Sequence, residues 1–81
     1  MTEEKDNYLH LPDLGEVEDV TIVEWLKSEG ENYSLGDDLV EVETEKTTFI
    51  VDAPAAGRIK RILLNTGEKA HTGDRLAKLF S

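Results

Sequence analysis

No cysteine occurs among the 81 residues, so neither a disulfide nor a thiolate-bound metal can hold this fold together. The chain is thus compatible with a reducing compartment, and a cytoplasmic location is expected. Hydrophobic burial must stabilise it instead, and one domain of this length offers a single modest core with no sizeable active-site cavity. No apolar run approaches membrane-spanning length. The leading Met1-Thr2-Glu3-Glu4-Lys5-Asp6-Asn7 has neither the hydrophobic segment of a signal peptide nor the basic character of a transit peptide. Residues 1–7 read as a flexible lead, residues 8–81 as the domain, and no membrane association is expected. Basic residues are also scarce: 9 Lys and Arg stand against 18 Asp and Glu, a formal charge of −9. Such a surface repels phosphate backbones and anionic lipid over a distance set by ionic screening, which argues against nucleic-acid binding and favours basic partner surfaces.

Catalytic constellations are missing as well. Ser28, Ser34, Ser81, His10 and His71 form no nucleophile signature, and neither a Gly-Xaa-Ser-Xaa-Gly elbow nor a phosphate-cradling glycine loop is present. The two histidines are too isolated in sequence for a metal motif. A domain this small without pocket signals is expected to work by presentation or contact and not as an enzyme.

What the chain does contain is a repeat. At an offset of 37 residues Ile22 matches Ile59, Gly30-Glu31 matches Gly67-Glu68, Gly36-Asp37 matches Gly73-Asp74, and Leu39 matches Leu76. Two copies are too few for a solenoid and too short to be independent domains, so they are expected to close on each other. Each copy reads as strand, glycine-containing turn, Gly-Asp, strand: Thr21 to Lys27, Ser28 to Asp38 and Leu39 to Thr44 in the first, Arg58 to Leu64, Asn65 to Arg75 and Leu76 to Phe80 in the second. Thr47 to Asp52 should pair with the first copy, and Tyr8 to Leu11 supplies an opening strand. With no sustained helical spacing, the expectation is an all-β fold, a small antiparallel sandwich or flattened barrel. Ile22 and Trp25, like Ile59 and Ile62, stand three apart and break the period of two; this predicts a bulge or a strand changing sheets, occurring twice by symmetry. Trp25 is expected in the core.

Between the halves lies Glu43-Thr44-Glu45-Lys46-Thr47-Thr48-Phe49. Leu39-Val40-Glu41-Val42-Glu43 alternates apolar with acidic, and Phe49-Ile50-Val51 is aromatic and β-branched, so both arms read as strands joined by a very short link. A tight turn at Glu45-Lys46 would hold the lysine out from both sheets on a rigid base, accessible to other proteins.

Taken together, Leu11-Pro12-Asp13-Leu14-Gly15, Thr21-Ile22-Val23-Glu24-Trp25-Leu26, Gly36-Asp37, Glu41-Val42-Glu43-Thr44-Glu45-Lys46, Ala53-Pro54-Ala55-Ala56-Gly57 and Gly73-Asp74 resemble the lipoyl domains of 2-oxo acid dehydrogenase complexes. The resemblance runs from about Tyr8 to Phe80 and is specific as a set. It implies two four-stranded antiparallel sheets related by a pseudo-twofold axis, and lipoic acid amide-linked to Lys46. It further implies a non-catalytic swinging arm within the acyltransferase component. The arm would be reductively acylated by a thiamine-diphosphate-dependent decarboxylase, pass the acyl group to coenzyme A on the acyltransferase core, and be reoxidised by dihydrolipoamide dehydrogenase. The dithiolane carries the chemistry while the protein supplies placement, and tethering substitutes an effective concentration on the order of millimolar for free diffusion.

A free lysine titrates near ~10.4 and is mostly protonated at neutral pH, and no base for the attachment step is evident in the sequence. Activation therefore falls to a lipoate ligase or lipoyl transferase. Glu45 and Thr47 are expected to position Lys46 and be read by that enzyme, and Gly57, after Pro54, to supply a backbone conformation with positive φ. Two alternatives share the fold: a biotinyl carrier domain, in which methionines typically flank the lysine, and an unmodified structural adaptor domain. Here Glu45 and Thr47 flank Lys46, and the only methionine is Met1. One departure from the family pattern stands after Leu14-Gly15-Glu16, where Val17-Glu18-Asp19-Val20 replaces a longer glycine-containing stretch. That loop is expected beside the lysine hairpin, helping to select the decarboxylase, and its acidity resembles the bacterial pyruvate-dehydrogenase type.

Overall fold

A computed structural model of the chain describes residues 7–15, 17 and 19–80. Eight strands form in order: β1 (Asn7–His10), β2 (Val20–Trp25), β3 (Asn32–Tyr33), β4 (Asp38–Glu43), β5 (Thr48–Asp52), β6 (Gly57–Ile62), β7 (Lys69–Ala70) and β8 (Arg75–Phe80). They make two four-stranded antiparallel sheets, ordered β1-β8-β6-β3 and β5-β4-β2-β7. No helix among the described residues is long and apolar enough to cross a membrane. The expectation of a flexible lead over 1–7 falls outside the described residues except at Asn7, which belongs to β1 and pairs with Leu79.

The sequence repeat is the architecture. Moved by 37 residues, β2, β3 and β4 coincide end for end with β6, β7 and β8. Each sheet takes its fourth strand from the other repeat: β3 pairs with β6, and β7 with β2. Reciprocal backbone bonds join the copies at the same points. The Gly30 N–H donates to the Ile59 carbonyl at 2.7 Å and the Gly67 N–H to the Ile22 carbonyl at 2.8 Å. Gly30 and Gly67 reach these acceptors at φ of +86° and +90°, a region that costs a residue with a Cβ about 1–2 kcal/mol.

The double break of alternation proves to be a bulge. The β2–β4 register shifts between Ile22 and Glu24, and the β6–β8 register between Ile59 and Arg61. The extra residues, Val23 and Lys60, are themselves 37 apart. Neither strand changes sheets, so the bulge alone accounts for the spacing. The core between the sheets is filled in matched pairs: Ile22 and Ile59, Leu39 and Leu76, Val42 and Leu79, all buried. Each such aliphatic side chain contributes roughly 1.5–3 kcal/mol by leaving water. Trp25 sits at the rim of this core instead of inside it; half-buried, it donates its Nε1–H to the Leu64 carbonyl at 2.8 Å.

Candidate functional site

Along β4 the alternation seen in the sequence sorts side chains by face. Val40, Val42 and, one residue past the strand, Thr44 are buried, Glu41 is half-buried, and Glu43 and Glu45 are exposed. The last residue pair of the β4–β5 ladder is Glu43 with Thr48, leaving Thr44-Glu45-Lys46-Thr47 as the connection. A two-residue hairpin turn of the primed types requires positive φ at its centre, and no non-glycine residue described has positive φ. The chain is closed by a side chain instead. The Thr44 N–H donates to the Thr47 carbonyl at 2.8 Å. The Thr44 hydroxyl donates to the same carbonyl at 2.9 Å and accepts the N–H groups of Lys46 and Thr47, each at 3.1 Å. Thr44 is the only buried polar residue among those described. Its hydroxyl substitutes for the backbone acceptor that the Thr47 N–H would meet in a regular ladder.

The turn therefore projects Lys46 from a locally bonded base. Lys46, Glu45 and Thr47 are all exposed, and all three lie at the hairpin apex where the sequence places them. Thr47 takes part mainly through its backbone; its own hydroxyl makes only a 3.5 Å contact with the Thr48 carbonyl. Thr44 was not legible as a site residue, because a threonine ending an alternating strand reads as one more strand position. The available signal was a threonine opening a short connection that lacks Gly and Asn.

Gly57 requires a correction. It does not have positive φ, and it begins β6 in the sheet that lacks the Lys46 hairpin. Its missing side chain serves close approach. A Cβ there would collide with the Phe80 carbonyl oxygen and lie 2.7 Å from the Tyr33 hydroxyl. Tyr33, cross-strand neighbour of Gly57, is buried, and that burial pushes its phenol above the ordinary value of 10.0.

The ladder also locates the loop preceding β2. Thr21 pairs with Glu43, so the chain enters β2 at the end of the sheet that bears the hairpin apex, one strand away. Gly15 turns that loop at φ +89°, its N–H bonded to the Asp13 carboxylate at 2.9 Å. Val17 packs on the core; Glu16 and Glu18 lie outside the described residues. His71 stays in a repeat turn, Nδ1 3.5 Å from Asp74, and His10 is an exposed residue of β1.

Comparison with known proteins bears on this site. A family model described as Biotin-requiring enzyme matches residues 7–79. The chain is 37% identical over 70 residues to the dihydrolipoyllysine-residue succinyltransferase component of the 2-oxoglutarate dehydrogenase complex of Rickettsia felis, covering 85% of this chain and 18% of that protein. It is 35% identical over 65 residues to the dihydrolipoyllysine-residue acetyltransferase component of the pyruvate dehydrogenase complex of Haemophilus influenzae, covering 80% and 11%. The chain thus spans less than a fifth of the length of these curated relatives. Among solved structures, the lipoyl domain of the 2-oxoglutarate dehydrogenase complex of Azotobacter vinelandii superposes with a TM-score of 0.75 at 32% identity, covering 91% of this chain and 95% of that one. A single-chain, multi-domain long-chain acyl-CoA carboxylase does so with a TM-score of 0.77 at 31% identity, covering 93% and 7%.

Proposed function

Because the chain belongs to the biotinyl and lipoyl attachment-domain family, a family of carrier domains without catalysis of their own, we propose that it presents a lipoyl group on Lys46 within a 2-oxo acid dehydrogenase complex. The observation carrying this reading is the exposed Lys46 at the apex of a hairpin closed by the Thr44 hydroxyl. An amide-linked arm fits there, since nothing but a reachable Nζ on a fixed base is required of the protein. When bound, the lipoyl dithiolane supplies a reducible disulfide that accepts an acyl group and hands it on. The chain's own residues do the placing. Thr44 fixes the backbone of residues 44–47, Glu45 and Thr47 flank the attachment point for recognition by a lipoate ligase or lipoyl transferase, and Gly57 leaves room for Tyr33 and the Phe80 carbonyl in the sheet that lacks the hairpin. The partners of this reading are a thiamine-diphosphate-dependent decarboxylase, the acyltransferase core and dihydrolipoamide dehydrogenase, in a cytoplasmic setting.

Lipoate is favoured over biotin by the flanking Glu45 and Thr47 and by the absence of any methionine beyond Met1. The acyl-CoA carboxylase likeness supports the biotinyl reading as the second one. Within the lipoyl reading we assign the pyruvate type, supported by the acidic Asp19 in a loop that enters β2 at the apex end of its sheet. The test is the intact mass of the chain made in cells supplied with lipoate and biotin. A lipoyl increment is expected on Lys46 and vanishes in Lys46→Arg; a biotinyl increment or none overturns the reading. Reductive acylation of the lipoylated chain by pyruvate and by 2-oxoglutarate decarboxylases then decides the complex, faster turnover with the pyruvate enzyme being expected.

A further inference from the structure

The two sheets have the same outline and opposite charge. Strands β1, β8, β6 and β3 hold Arg58, Lys60, Arg61, Arg75 and Lys78 and neither Asp nor Glu. Strands β5, β4, β2 and β7 hold Glu24, Asp38, Glu41, Glu43 and Asp52 against one cation, Lys69. The inversion is positional. At the repeat offset of 37 residues, Arg61 stands where Glu24 does, Arg75 where Asp38 does, and Lys78 where Glu41 does. In an overall acidic chain, five cations gathered on one sheet run against the composition.

Each face also carries a row in ladder register. Tyr8, Lys78 and Arg61 cross β1, β8 and β6; Ile50, Glu41 and Glu24 cross β5, β4 and β2. Both rows begin with an apolar side chain at the edge and set like charges opposite each other across neighbouring strands. Like charges so placed work against a sheet in isolation, whereas a covering surface of the other sign relieves them. The basic face is ordered in advance: the Arg75 guanidinium lies 4.2 Å from the Tyr8 ring centre, and Arg58 and Lys60 lie 4.7 and 4.5 Å from that of Phe80. A shallow hollow runs across this face between Tyr8, Lys60, Arg61, Arg75 and Lys78, with Glu29 as its acidic member.

We infer that the basic face of the first sheet docks on the acidic face of the second sheet of another copy. The occupant is a second copy because the acidic surface of matching outline, row and sign is the chain's own. Five of the six strand cations lie in one sheet and all the strand carboxylates in the other, so complementarity survives rotation of one face over the other. The contact is heterologous, joining different surfaces on the two copies, and it propagates as a stack unless geometry closes it. A net charge of −9 opposes the approach at long range, which confines association to high local concentration, on the order of millimolar. This inference stands independently of the modification at Lys46.

Sedimentation equilibrium of the whole unmodified chain up to about millimolar concentration tests it, at about 0.05 M and about 0.5 M salt. The weight-average mass should rise with concentration at low salt and return to the monomer at high salt. Two double reversals separate the faces: Arg61→Glu with Lys78→Glu reverses the central row of the basic face and cuts its strand charge from five cations to a net of +1, and Glu24→Lys with Glu41→Lys reverses that of the acidic face and brings its strands to neutrality. Each alone should associate at least tenfold more weakly than the parent, while an equimolar mixture should associate again. A parent that stays monomeric throughout, association insensitive to salt, or a mixture no heavier than its components overturns the proposal. Because restoration requires both variants to be folded and only their charges to be complementary, loss of fold cannot mimic it.

Discussion

The Lys46 apex and the turns inside the repeats reverse the chain by different chemistry. In the repeats, Gly30, Gly36, Gly67 and Gly73 all sit at positive φ. Carboxylates cap the turn N–H groups: Glu31 receives that of Ser28, Asp37 that of Ser34, and Asp74 that of His71. Those turns are also bonded across the molecule, Gly36 to the Ala53 carbonyl and Gly73 to the Leu11 carbonyl, both at 2.9 Å. The apex has no glycine, and the bonds around Thr44 stay within residues 44–47. Turns that organise the sheets are therefore locked to distant strands, whereas the turn that displays a lysine is closed from within and can be handled by other proteins with little load on the fold.

The largest loss away from the apex is expected from Gly57→Ala, in the sheet that the repeat turns organise. Its added Cβ meets the Phe80 carbonyl and the Tyr33 ring, and a loss of about 2–3 kcal/mol is expected in urea denaturation. Lys46→Ala, which removes the proposed attachment point, should move the same midpoint by less than about 0.5 kcal/mol; similar losses in both variants would erase the distinction. Thr44→Val keeps the shape and removes the hydroxyl, stranding the Lys46 and Thr47 N–H groups at an expected cost of about 1–3 kcal/mol. Amide exchange should accelerate at residues 46 and 47 while Gly30 and Gly67 keep their protection. If all four amides loosen together, the apex is not self-contained.

Gly30→Ala and Gly67→Ala sharpen the other side of the comparison. Each introduces a Cβ into open space at positive φ, so each should cost about 1 kcal/mol, the two agreeing within about 0.5 kcal/mol. Unequal losses would mean that the repeats match in path and differ in strength. The smallest effect concerns Tyr33, whose phenol is raised by burial. As pH climbs through the ordinary value of 10.0, the unfolded phenol ionises before the folded one. Stability from this group is then complete below that pH and is lost progressively up to the raised folded value. The alkaline decline should be shallower in Tyr33→Phe, and an identical decline in both proteins would sink the assignment.

Much of this is legible in the sequence. The repeat offset predicts which strands are equivalent, and the three-residue spacing of Ile22 with Trp25 and Ile59 with Ile62 predicts a paired irregularity, a bulge or a change of sheet, of which the structure shows the bulge. Alternation around Glu41 and Glu43 places Lys46 at an apex. Strands β3 and β7 were not readable: two residues carry no periodicity, and their partners belong to the opposite repeat. A glycine after Pro54 suggests a turn conformation, while the actual constraint on Gly57 comes from Tyr33 and Phe80, distant in sequence. Trp25 fell short of the core because its indole N–H must reach the Leu64 carbonyl at the rim.

Since β3 completes the sheet built by the second repeat and β7 the sheet built by the first, neither half owns a finished hydrogen-bonded layer. Severing the chain midway would leave two pieces that must find each other before either becomes solid. Intact, the molecule should melt as a unit, and its lysine rides on a platform that is either wholly assembled or gone.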